Sequence, residues 1–194
     1  KMIEPIKKWR EEQVSKVHSD HVFYPFSGPD FLNIYSLYPN AKKYVMIGLE
    51  SSGQIPDFEK YSDKDLSNGL NDMQNALNSI SRRNFFVTKA MRKNVSRSRI
   101  KGTVPIFLTY LGFLDLTPVS IRYFKINPLG QITYPEKDEN SHGALKENFA
   151  GVEIQFLEKD KPQVLENVKS IYYLSADISN LGLRKKPEIL KFLG

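Results

Sequence analysis

The spacing of apolar positions changes along this chain, and each change marks an element. Ile6, Trp9, Gln13 and Val17 recur at intervals of three and four, which predicts a short amphipathic helix lying on the body of the domain. The run VFYPF at residues 22–26 is closed by Ser27-Gly28-Pro29-Asp30 and followed by an apolar stretch over 31–38, the pattern of strand, tight turn and helix. Pro39-Asn40 breaks that helix. Residues 44–49 (YVMIGL) are continuously apolar, which predicts a central strand buried on both faces, with at least one parallel neighbour. The result is a βαβ-like unit with Glu50 at the carboxyl end of its second strand.

Helical periodicity takes over next. Ser62 and Asp65 have capping-box spacing, and Leu66, Leu70, Met73, Leu77 and Ile80 alternate at four and three. A basic helix is expected over about 85–95. A third helix, over 103–114, is apolar almost all round and therefore central, with Pro105 tolerated in its first turn. Beyond Pro118 the period falls to two. Residues 120–126, the turn Asn127-Pro128-Leu129-Gly130 and residues 131–134 predict a β-hairpin. Residues 135–148 form a polar loop. Val152, Ile154 and Phe156, then Ile171 and Tyr173, alternate as strands do, and a short last helix starts near Pro187. The fold class is α/β, with mixed α+β as its variant: an N-terminal βαβ-like unit, a central group of helices, then a hairpin and further strands. The 194 residues suit one domain, which a longer protein could carry.

Composition narrows the chemistry. A hydrophobic fraction of 40% with 26% charged residues is that of a folding chain. Cysteine is absent, which excludes disulfides, thiolate nucleophiles and cysteine-ligated metals. No apolar run reaches the length of a membrane span, and the opening KMIEP has no signal-like core. Because the chain opens on Lys1, a leader removed upstream is compatible with it. The net charge is +6, yet Arg82, Arg83, Lys89, Arg92, Lys93, Arg97, Arg99 and Lys101 form a block without acids, so the remaining residues sum to −2.

That block, with Phe85 and Phe86 in it, suits an anionic partner: a polynucleotide or a membrane surface met by Arg82, Arg83, Arg92, Arg97 and Arg99. A solvated helix face is the competing and favoured reading, since on one helix Arg92 projects about 60° from Lys89 and the charges wrap around rather than line a stripe. Weak, salt-labile and sequence-indifferent binding is the most this predicts. A second constellation is Ser27, Gly28 and Asp30 with Glu50 twenty residues on. A glycine turn and a later carboxylate are how Rossmann-like proteins hold nucleosides, S-adenosylmethionine among them. The match is incomplete: one glycine stands where the dinucleotide fingerprint has three, and Pro29 lacks an N–H. The alternative is a turn with Asp30 capping a helix. His18, Asp20 and His21, with His142 far along the chain, are ligand types without a metal-site spacing, and no metal is assigned. No catalytic motif is present and no cofactor is required.

Two stretches, VFYPFSGPDF at 22–31 and residues 39–56 around YVMIGLE, resemble a family of uncharacterised bacterial proteins carried as predicted lipoproteins or exported proteins. The resemblance extends to residues 151–156 and 170–183. It implies an extracytoplasmic location, periplasmic or lipid-anchored upstream of Lys1, and brings no catalytic residues with it; with no catalytic motif and no cysteine, a binding or structural role is expected.

Overall fold

A computed structural model describes residues 3–14, 16–25, 29–53, 55, 62–65, 67–69, 71, 74, 102–135 and 149–194. Its elements in chain order are α1 (Ile3–Gln13), β1 (His21–Tyr24), α2 (Phe31–Leu37), β2 (Lys43–Gly48), α3 (Val104–Phe113), β3 (Leu116–Ile126), β4 (Ile132–Thr133), β5 (Gly151–Glu158), β6 (Lys169–Ser175), α4 (Asn180–Lys185) and α5 (Pro187–Leu193). One six-stranded sheet runs in the order β1-β2-β6-β5-β3-β4. The first three strands are mutually parallel, while β6–β5, β5–β3 and β3–β4 are antiparallel. The chain is thus a mixed α/β protein.

The unalternating run at β2 has the expected cause. It lies between β1 and β6, parallel to both, and each of its faces meets a different apolar cluster. On one face Tyr44, Met46, Ile171, Tyr173, Val152, Ile154 and Phe156 pack under Phe31 and Ile34 of α2 and Phe107 and Leu111 of α3. On the other, Ile47, Leu174 and Phe124 pack against Ile189 of α5. Helices on both faces make three layers. The same second face also carries Glu153, 1% exposed, whose carboxylate accepts hydrogen bonds from Arg122, Tyr134, Tyr172 and Gln155.

Turn chemistry is local and reads out as expected. Asn127 Oδ1 accepts from the backbone N–H groups of Leu129 and Gln131, and Gly130 takes φ +83°. Ser62 Oγ accepts from Asp65 N at 3.3 Å, one half of the capping box. The apolar all-round helix α3 is central, with Val104, Phe107 and Leu111 fully buried.

Two expectations are corrected. Along α1 and the turn that follows it the inward positions are Arg10 and Val14, four apart: Val14, just past the helix, is buried and Arg10 donates to Ser36 O of α2, while Trp9 and Val17 are 53% and 54% exposed. Strand β3 starts at Leu116, before Pro118. Proline is accommodated because the register with β5 shifts between Pro118 and Ser120, and because among the described residues β4 pairs only with Lys125 and Ile126 and no strand flanks Pro118 on that side.

Candidate functional site

In a sheet with parallel strands, ligands bind beyond the carboxyl ends, where successive connections leave to opposite faces. Here that place is between β2 and β6. The chain leaving β2 docks on the start of α3, on the first face: Thr103 N donates to Ser51 O and Ser52 O, and Val104 N to Ser52 O. The chain leaving β6 turns to α4 and α5, on the second face. Ala176 N donates to Gly48 O at 2.8 Å and holds the two strand ends together.

Glu50 stands at this junction, 3% exposed. The Tyr173 hydroxyl donates to its backbone carbonyl at 2.8 Å and lies 3.4 Å from Oε2. Burial, then the Glu50 charge, push the Tyr173 phenol well above its ordinary pKa, so it remains a donor. The Thr103 hydroxyl approaches the same phenol, and among the described residues neither Thr103 Oγ1 nor Ser52 Oγ reaches a partner at hydrogen-bonding geometry, although both are buried. Buried hydroxyls left this way are uncommon in a finished core.

Asp30 follows β1 and occupies the N-cap position of α2. It is 4% exposed, and its Oδ2 accepts from Tyr24 OH at 2.9 Å and Asn33 Nδ2 at 3.2 Å. Burial pushes the carboxyl up to about 6, against the lowering by those hydrogen bonds. Its charge is felt by Tyr110 on α3. Tyr110 is seven residues from Thr103, about 10 Å along the axis of α3. The fold brings both acids to one edge of the sheet but in separate pockets of hydrogen bonding.

The raised Asp30 value has a measurable consequence. Between about pH 4 and 6 the folded chain binds a proton there that the unfolded chain has lost, so stability falls as pH rises through this window and stays lower above it. A shift from 3.8 to about 6 corresponds to at most about 3 kcal/mol. Asn keeps an acceptor for Tyr24 without the charge. Asp30→Asn is therefore expected to stabilise by about 1–3 kcal/mol at pH 8 and to change little below pH 4. Urea denaturation of both proteins at the two pH values measures this, and an equal effect at both would refute the buried-charge account.

Of the other residues singled out in the sequence, Ser27 and Gly28 lie outside the described residues, as do Arg82, Arg83, Arg92, Arg97, Arg99 and His142. His18, Asp20 and His21 are exposed, past the end of α1 and at the start of β1. Among the described residues no group of His, Asp and Glu could hold a metal ion, and no helix is long and apolar enough to cross a membrane. Sequence reasoning missed Ser52, Thr103, Tyr110 and Tyr173 as site residues. The signal was hydroxyl groups in or beside apolar segments, Thr103 at the N-cap position of α3, Tyr110 within it and Tyr173 in β6, whereas Ser52 in the loop after β2 carried none. Comparison with protein-family models, curated proteins and solved structures finds no match to this chain.

Proposed function

We propose that this chain is an extracytoplasmic binding domain of an exported or lipid-anchored protein, with a small-ligand site at the carboxyl ends of β2 and β6. The observation that carries the site is the pair of buried hydroxyls on Ser52 and Thr103, which among the described residues reach no partner at hydrogen-bonding geometry, near the Tyr173 phenol and Glu50. A ligand with adjacent hydroxyl or amine groups would satisfy both hydroxyls and share Glu50 as acceptor. The resemblance of the VFYPFSGPDF and YVMIGLE stretches supports the location, and the absence of a catalytic motif favours binding over turnover. Lipid labelling of the full-length protein in cells tests the anchor: an unlabelled protein retained in the cytoplasm removes the localisation.

An S-adenosylmethionine-type nucleoside, and with it methyl transfer, is the second reading. Glu50 following β2 favours it, since an acid at that position holds ribose hydroxyls in Rossmann-like sites. The position of β1 at the end of the strand order among the described residues weighs against it, because in those folds the first strand is central. Calorimetric titration with adenosine and with S-adenosylmethionine separates the two. Heat from both ligands, reduced about 10- to 100-fold in affinity by Glu50→Gln with unchanged melting, is the result expected of a nucleoside site. Silence with both removes the nucleoside and leaves the general binding site to be tested with other polyols and amines.

A further inference from the structure

At the amino ends of the same strands, more than about 20 Å from Glu50 by the length of β2, a second set of polar groups converges. Asn40 and Lys42 from the α2–β2 connection, Glu158 at the end of β5, Lys161 and Asn167 from the β5–β6 connection, and Lys169 opening β6 enclose a cleft of about 200 Å³. We propose that this cleft binds a phosphate group, as inorganic phosphate or a phosphate monoester.

Three features carry it. Lys169 is a buried lysine, 6% exposed, and is held in place: its Nζ donates to Pro39 O at 2.5 Å and to Glu158, with the Tyr35 ring centred 5.6 Å away. An ammonium has three donors, and the described residues accept from two of them. The carboxylate does not cancel the surrounding charge. Burial raises the Glu158 carboxyl, but Lys169, the Tyr35 hydroxyl and Lys161 outweigh this and keep it below its usual range. It therefore counts as one negative charge against three ammonium groups, and the cleft carries a net +2, the charge that complements a dianion. Lastly, Lys42 is fixed beside Lys169. Its backbone carbonyl accepts from Ser170 N at 2.9 Å, which sets the Lys42 main chain beside the start of β6, and its exposed Nζ donates to Glu166 O at 2.6 Å on the rim of the cleft. Lys–carboxylate pairing alone accounts for Lys169 and Glu158, but among the described residues Lys42 and Lys161 form no ion pair within 4.0 Å, and Lys161 acts on Glu158 only through its charge.

The test is titration of the whole chain with inorganic phosphate at low ionic strength, followed by NMR of the Asn40 and Asn167 side-chain amides. Saturable shifts at these amides are expected, with affinity at least tenfold weaker in the Lys42→Gln/Lys161→Gln double variant. Both lysines are exposed, so the melting temperature of that variant should match the parent. Co-sedimentation with phosphatidylcholine vesicles, with and without phosphatidic acid, locates the source: capture only by the phosphatidic acid vesicles assigns a lipid headgroup, and phosphate binding without capture assigns a soluble phosphate. Shifts that do not saturate, or that persist unchanged in the double variant, overturn the proposal.

Discussion

Replacing Gly102 by alanine should leave the chain largely unfolded, with a loss of more than about 4 kcal/mol. Gly102 has φ +93°, a conformation that costs a residue with a side chain about 1–2 kcal/mol by itself. The larger part is steric. A Cβ there would lie 2.0 Å from Gly53 Cα, 2.3 Å from Gly53 N and 2.6 Å from Ser52 O, all backbone atoms with no rotamer to relieve the overlap. Relief would need separation of the 51–53 segment from α3, breaking the bonds that Thr103 N and Val104 N make to Ser51 and Ser52. Those bonds also hold Ser52 and Thr103 beside Glu50, so a surviving folded fraction should have lost the candidate site. Thermal unfolding by circular dichroism is sufficient: a Gly102→Ala protein melting within a few degrees of the parent would mean that the close approach does not exist.

Phe31→Ala is expected to cost about 3–5 kcal/mol, the range for emptying a buried aromatic position. Phe31 opens α2 and is fully buried, with ring centroids of Tyr44 at 5.3 Å, Tyr35 at 5.4 Å, Phe156 at 5.5 Å and Phe107 at 6.5 Å. It touches β2, β5 and α3 at once, so no single neighbour can collapse into the space it leaves. Phe31→Leu, closer in volume, should lose much less than Phe31→Ala. Urea denaturation should show the midpoint falling with the slope unchanged, as for a smaller native stability with the same exposed area. A loss below about 1 kcal/mol for Phe31→Ala would show that the cluster repacks freely.

Both positions show where sequence reasoning ends. Phe31 was legible as the start of an apolar helix, whereas nothing near Gly102 announced that Gly53 would lie against it, since the two are distant in the chain. The same division runs through the candidate site. Glu50 could be placed at a strand end from the YVMIGL run, but its burial and its contact with Tyr173, 123 residues away, could not. Asp30 was readable as the close of a turn. Its proton affinity follows from desolvation under α2 and α3, which is a property of the packed layers.

By itself, the sequence determined whatever depends on neighbours within a few residues: the two-faced strand β2, the β1–α2–β2 unit, the Asn127–Gly130 turn, the Ser62 cap and the apolar helix α3. These follow from periodicity and from backbone preferences that act locally. Only the tertiary structure decided which face of α1 turns inward, how β3 admits Pro118, and which polar groups are buried with which partners. Tyr35 reaches Glu158 across 123 residues and Lys169 reaches Pro39 across 130. The physical reason is that the charge state and hydrogen bonding of a group are set by what surrounds it in space, and strand order, which fixes those surroundings, leaves no period in the chain.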